Sequence, residues 1–164
     1  MEIIIVLHNI RSAYNVGAIL RTAEGLGISS VICSGYTPWF KKPGLLPHLS
    51  SKLKHQIGKS ALGAEEMVKV SWSEDINKAL AELKGQGFQI IGLENNLAQK
   101  SILLNDFKTD AKKIVLVLGE EVNGIPRELY PEIDLFLEIP MKGRKESFNV
   151  SVAAGIALYA LNQI

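Results

Sequence analysis

Two uninterrupted aliphatic runs, IIIVL at residues 3–7 and IVLVL at residues 114–118, constrain this chain more than any other feature. A half-exposed strand would place a polar residue at alternate positions. Neither run does, so each reads as a strand buried on both faces, the kind found in parallel sheets covered by helices on both sides. The rest of the chain keeps the alternation such a sheet needs. Further strands are expected over residues 30–34, 67–72, 88–93 and 135–139. Helical patterns fall between them over 16–26, 52–63, 74–84 and, in a short turn begun by Pro126, 126–130. The fold class is therefore α/β, with a mostly parallel sheet and helices on both faces, in a single domain over residues 1–164.

The closing stretch carries the second constraint. A basic turn, Lys142-Gly143-Arg144-Lys145, leads through Ser147 and Asn149 into a segment with almost no charge that ends at Leu161. A helix apolar all round belongs in a core, and this one is too short to span a bilayer, which takes about 20 residues. Ser147 and Asn149 at its start either cap the helix or face a site.

At 164 residues with 21% charged side chains, the chain has the makeup of a soluble globular protein. Charge is unevenly spread. Residues 1–64 hold seven basic side chains against two acidic, a net of +5, and the remainder holds eleven against fifteen, −4. No acid falls between Glu24 and Glu65, a gap that contains Lys41, Lys42, Lys52, Lys54 and Lys59. That is either a surface for a polyanion or a solvated loop. Residues 35–49, with three prolines, read as a long loop. Cys33 is the sole cysteine and sits in an apolar run, as a small core residue does. Three scattered histidines lack metal-ligand spacing, and no signal peptide or membrane span is visible, so the cytoplasm is the expected location.

Ligands of open α/β sheets bind beyond the carboxyl ends of strands. Three loops qualify. The first holds Arg11, Asn15, Gly17 and Arg21, the second Gly119, Glu120, Asn123 and Gly124, the third Pro140, Met141, Gly143, Ser147 and Asn149. Asn15 reads as a helix N-cap, and Arg21 lies toward the apolar side of that helix, either as a structural side chain with a buried stem or as a catalytic group. None of the loops is a G-x-G-x-x-G fingerprint or a G-x-x-x-x-G-K-[ST] phosphate cradle, and no Ser/His/Asp set is present. Nicotinamide chemistry, nucleoside triphosphate hydrolysis and serine hydrolysis are thereby disfavoured.

Three segments taken in order, NVGAILRTA at 15–23, LVLGEEVNGI at 116–125 and IPMKGRKESFNVSVAA at 139–154, resemble the SpoU/TrmH family of RNA ribose 2′-O-methyltransferases in the SPOUT superfamily. The segment KSALGAE at 59–65 is similar to its stand-alone members. The resemblance implies methyl transfer from S-adenosylmethionine to a ribose hydroxyl of RNA, a deep C-terminal trefoil knot and a homodimer. Carried over by motif, it implies cofactor contacts at Leu93, Gly119, Ile139, Ser147 and Phe148. It implies catalytic-motif positions at Asn15, Arg21, Glu120, Ser147 and Asn149, with Arg21 reaching toward the partner's pocket. Arg21 would either accept the hydroxyl proton, its guanidinium made less costly to neutralise by dry surroundings, or stabilise the developing alkoxide. Under this reading Lys41, Lys42, Lys52, Lys54, Lys59 and Arg144 grip RNA phosphates, Arg11 lies nearer the site, and Trp39 or His55 stacks on a base. A chain of the minimal type favours compact RNA, tRNA in preference to rRNA. The alternative is a noncatalytic RNA-binding or assembly protein on the same scaffold. Neither a metal nor a membrane is expected as a partner.

Overall fold

A computed structural model describes residues 1–28, 30–95, 97 and 101–163. Seven strands, β1 (Glu2–His8), β2 (Ser30–Ser34), β3 (Lys69–Ser73), β4 (Gln89–Leu93), β5 (Ile102–Leu103), β6 (Lys113–Leu118) and β7 (Leu135–Glu138), form one sheet in the order β3-β2-β1-β6-β4-β7-β5. Every pairing within it is parallel. The two aliphatic runs lie side by side at its centre, Ile3 opposite Ile114 and Leu7 opposite Leu118.

Because side chains alternate across a strand, the central strands feed two separate cores. Ile3, Ile5 and Leu7 face α1 (Ala13–Gly25), α2 (Pro47–Ala61) and α5 (Val150–Leu161). Ile4 and Val6 face Ile76 and Leu80 of α4 (Ile76–Gly85), and Leu129 of a 3-10 helix, Arg127–Glu132. A four-residue helix, α3 (Ala64–Met67), joins α2 to β3. Full burial of each such Ile or Leu contributes roughly 1.5–3 kcal/mol, so the double-sided sheet is the main source of stability. The first and second helices approach closely at Gly17, where a Cβ would lie 2.3 Å from the Ile57 carbonyl oxygen. A larger residue there would push α2 off the core.

Several local expectations change. The first helix begins at Ala13 with Ser12 as its N-cap, not Asn15, because the Ser12 hydroxyl accepts from the Asn15 amide at 3.3 Å. That leaves the Asn15 side chain free to reach outward. The expected loop 35–49 is shorter, because Pro47 at the first turn starts α2 earlier than the weak helical signal at 52–63 suggested. The helix expected from residue 74 starts at Ile76, with Asp75 as its cap, accepting from the Lys78 amide at 3.0 Å. Cys33 is buried, and burial pushes its thiol up to about 12, which leaves it inert at neutral pH.

The closing helix differs most from its reading. Ala154, Ala157, Leu158 and Leu161 are buried, but Val152, Ile156 and Tyr159 are exposed. The inward side packs α5 against α1, where a Cβ added at Gly155 would make ordinary contact with Thr22 at 3.8 Å. Val152, Ile156 and Tyr159 are left pointing at water, so the helix is core on one side only.

Candidate active site

The sheet order explains why three loops distant in sequence meet. Strands β6, β4 and β7 are consecutive neighbours, so the chain segments that leave their carboxyl ends emerge side by side. They enclose a cleft of about 630 Å³, its open mouth included, lined by Leu93, Leu118, Gly119, Ile139, Ser147 and Phe148 among others. All five positions carried over as cofactor contacts line this cleft.

Each loop is built for its place. Residues 119–124 form a tight hairpin in which Glu120 and Gly124 exchange backbone hydrogen bonds of 3.0 and 2.9 Å. A Cβ on Gly119 would meet the Gly124 and Ile125 backbone at 2.3–2.4 Å, so only glycine closes this turn. Glu94, after β4, accepts from the Ile125 amide at 2.8 Å and ties the hairpin to the neighbouring loop. Asn95 ties in the third. Its side chain accepts from the Ile139 amide at 3.2 Å and donates to the Ile139 carbonyl at 2.9 Å. Glu94 and Asn95 are absent from the sequence reading, since a lone acid or amide after a strand has no spacing to mark it.

The motif residues converge at one rim. Asn149 caps α5 by accepting from the Ser151 amide at 2.9 Å, and its Nδ2 donates to Asn15 Oδ1 at 3.2 Å. The cap reading of Asn149 therefore holds, and the same side chain also reaches Asn15. Asn15 in turn donates through Nδ2 to Glu121 Oε1 at 2.9 Å. Glu121 also accepts from the backbone amides of Arg11 and Ser12 at 2.9 and 3.1 Å. Burial opposes its charge, but these hydrogen bonds outweigh that cost and hold its carboxyl below the ordinary glutamate range. The acid that joins the motifs is thus Glu121. Glu120, the position carried over by motif, lines the cleft with a side chain 13% exposed, accepts from Asn123 and stands 3.6 Å from the exposed Arg11 guanidinium.

Arg21 lies elsewhere than expected. It is exposed rather than stem-buried, because the inward face of α1 is formed by Val16, Ile19, Leu20 and Ala23. Within one protomer its surroundings are wet, so dry surroundings cannot be supplied by this chain alone.

The basic region is part loop and part helix, with Lys41 and Lys42 in the segment before α2 and Lys52, Lys54 and Lys59 on α2 itself. Lys41 and Lys54 both pair with Glu66, at 3.3 and 2.7 Å, so their combined field is reduced to that of one cation. Lys42 lies half-buried over the Trp72 ring, 4.2 Å from its centroid. Lys52 and Lys59 are exposed on α2, and Arg144 is exposed in the turn before α5. Trp39 cannot stack on a base, since it is 2% exposed and packs against Phe40, whereas His55 is exposed. An aromatic in a proline-rich segment looked accessible, but the segment folds back and buries it.

An all-parallel sheet with its cleft built from the loops after β4, β6 and β7 defines the class of protein. The chain belongs to the SpoU rRNA Methylase family, whose model matches residues 2–159. It is 33% identical over 157 residues to the 23S rRNA (guanosine-2′-O-)-methyltransferase RlmB of Xylella fastidiosa, covering 96% of this chain and 57% of that protein. The chain thus spans less than three fifths of that relative's length. The crystal structure of the A. aeolicus TrmH/SpoU tRNA modifying enzyme superposes with a TM-score of 0.79 at 26% identity, over 99% of this chain and 74% of that one. An AdoMet-bound rRNA methyltransferase from Sinorhizobium meliloti superposes with a TM-score of 0.81 at 24% identity, over 99% and 56% of the two chains. The architecture is the SpoU fold, and the deep C-terminal knot is implied by it.

Proposed function

We propose that this chain is an S-adenosylmethionine-dependent methyltransferase acting on ribose 2′-hydroxyls of RNA, assembled as a homodimer. The observation that carries the reading is the cleft itself. It joins apolar walls from Leu93, Leu118, Ile139, Val150 and Ala153 to the carboxylates of Glu94, Glu120 and Glu121, with no Lys or Arg among the described lining residues. Such a lining suits a neutral adenine and a positively charged sulfonium, and it does not suit a nucleoside phosphate. S-adenosylmethionine, when bound, supplies an electrophilic methyl group, so the protein's main task is to position a sugar oxygen.

The chain's own residues divide that task. Leu93, Gly119, Ile139, Ser147 and Phe148 hold the donor. Asn15 and Asn149, locked to each other and to Glu121, orient the ribose at the rim, with Ser147 beside them. Arg21 serves the incoming oxygen from the neighbouring subunit, where the partner's surface removes it from water. Its role there is to stabilise the alkoxide while solvent water accepts the hydroxyl proton. The apolar outward face of α5, Val152, Ile156 and Tyr159, supports the dimer, because such side chains on one helix face are the usual mark of an interface. Tyr159→Glu is expected to give a monomer by analytical ultracentrifugation and to abolish transfer. A wild-type protein that sediments as a monomer would remove the composite site.

The direct test is incubation with labelled methyl donor and bulk tRNA or rRNA, followed by mapping of 2′-O-methyl positions. Calorimetric binding of the donor without transfer to any RNA would favour the noncatalytic alternative. The names of the relatives include both RNA classes, so both belong in the assay. RNA binding is expected to weaken steeply with salt, by roughly 0.7 in the log–log slope per phosphate contacted by Arg11, Lys52, Lys59 or Arg144. A flat response would take these side chains out of the interface.

A further inference from the structure

We infer that Tyr36 is a stacking platform for an RNA base, presented beside the cleft and next to Arg11. The inference rests on the RNA-methyltransferase reading above and names a contact that reading leaves unassigned. With Trp39 and Phe40 buried, the exposed aromatic rings are Tyr14, Tyr36, Phe148 and Tyr159. Phe148 lines the cleft and Tyr159 lies on the outward face of α5. Tyr36 stands at the carboxyl edge of the sheet, two residues beyond β2, and is 52% exposed.

The turn that carries it is built at a cost and anchored from below. Asn9 and Gly35 both take left-handed backbone, φ +61° and +67°, a conformation unfavourable for any residue with a Cβ. A Cβ on Gly35 would lie 1.8 Å from Asn9 Oδ1, which accepts from the Tyr36 amide at 3.2 Å. Thr37, 1% exposed, donates its hydroxyl to the Leu7 carbonyl at 2.8 Å and accepts from the Ile10 amide at 3.1 Å. A fourth clasp lies beneath, where His8 Nδ1 and Ser34 Oγ are 2.8 Å apart in the interior. The outcome of all this buried anchoring is an aromatic ring held in water. A turn needed only to join β2 to α2 would not require it.

The neighbours fit the proposed ligand. Burial and the nearby Glu120 carboxylate raise the Tyr36 hydroxyl above its ordinary pKa, so that carboxylate lies near the ring's outer edge. Arg11, 63% exposed at its side chain, stands 3.6 Å from the same carboxylate. A ring face for a base and a guanidinium for its phosphate, side by side, are the two parts single-stranded RNA sites combine. Tyr36 is outside the cleft lining, so the base it takes belongs to a nucleotide flanking the one methylated.

The test compares wild type with Tyr36→Ala, Tyr36→Phe and Tyr36→Trp, using bulk tRNA and rRNA as probes. Tyr36→Ala is expected to raise the KM for RNA about tenfold, the size of one lost base stack, with kcat and S-adenosylmethionine affinity little changed. Tyr36→Phe is expected to recover most of that loss, because the ring rather than the hydroxyl makes the contact. In Tyr36→Trp, added RNA is expected to quench fluorescence beyond the background of Trp39 and Trp72. An unchanged RNA KM in Tyr36→Ala alongside active wild type, or a defect confined to kcat or donor binding, would overturn the inference alone. Wild type that methylates no RNA would instead overturn the reading beneath it.

Discussion

Arg21→Ala is expected to lower the single-turnover rate of methyl transfer by about 10²–10³-fold, the usual effect of removing one donor aimed at developing negative charge. S-adenosylmethionine affinity should hold, because Arg21 is absent from the cleft lining of its own subunit. Stability should hold as well, since the side chain is exposed on α1 and the inward face of that helix is untouched. Arg21→Lys keeps the charge but loses the planar fork of donors, and it should recover little. If the lysine variant retained most of the rate, a specific guanidinium role would be wrong. Mixing Arg21→Ala protein with a variant blocked at Gly119 adds a test of geography. Should Arg21 act across the dimer, mixed dimers regain activity that neither parent shows. Absence of any recovery would place Arg21 in its own subunit's chemistry.

Glu121→Ala is expected to damage both stability and transfer, whereas Glu120→Ala should leave stability nearly intact. Glu121 accepts from two backbone amides and the Asn15 side chain, and its removal leaves the start of α1 without its anchor. A loss of about 2 kcal/mol follows from hydrogen bonds to a charged acceptor, discounted for partial exposure. Transfer falls because Asn15 and, through it, Asn149 lose their fixed orientation. The Glu120 side chain pairs with the exposed Arg11 and Asn123, and pairs whose partners stay in water contribute about 0–1 kcal/mol. Urea titration of the two variants separates these outcomes, and equal destabilisation would remove Glu121 from its linking role. The same carboxylate predicts a pH dependence. Its folded pKa lies below the ordinary glutamate value, so its contribution is complete above that ordinary value and is lost as pH falls through the folded one. In Glu121→Gln the stability profile below pH 4.5 should flatten relative to wild type.

Much of the fold was legible in the chain because two of its strands are buried on both faces, and burial on both faces leaves no polar position. Residues 3–7 and 114–118 could be little else, and their parallel pairing at the sheet centre follows from the crossovers between them. The motif segments were legible for the same local reason, since glycine at 119 and polar groups after a strand mark a turn at a carboxyl edge. The boundaries of α1 and α2 were less so, because Ser12 against Asn15, or Pro47 against Lys52, are choices between competing starts of similar local merit.

What composition and order alone determined is the double-covered parallel sheet, the positions of three polar loops and the family likeness those loops carry. Only tertiary structure decided which acid of the Glu120–Glu121 pair ties the first motif segment to the second, because adjacent residues in a turn differ by direction, not by chemistry. It likewise decided that Trp39 is core while Tyr36 is surface, and that Arg21 and one face of α5 look outward. Each depends on which side of an element meets another element, a long-range property that no short window of residues contains.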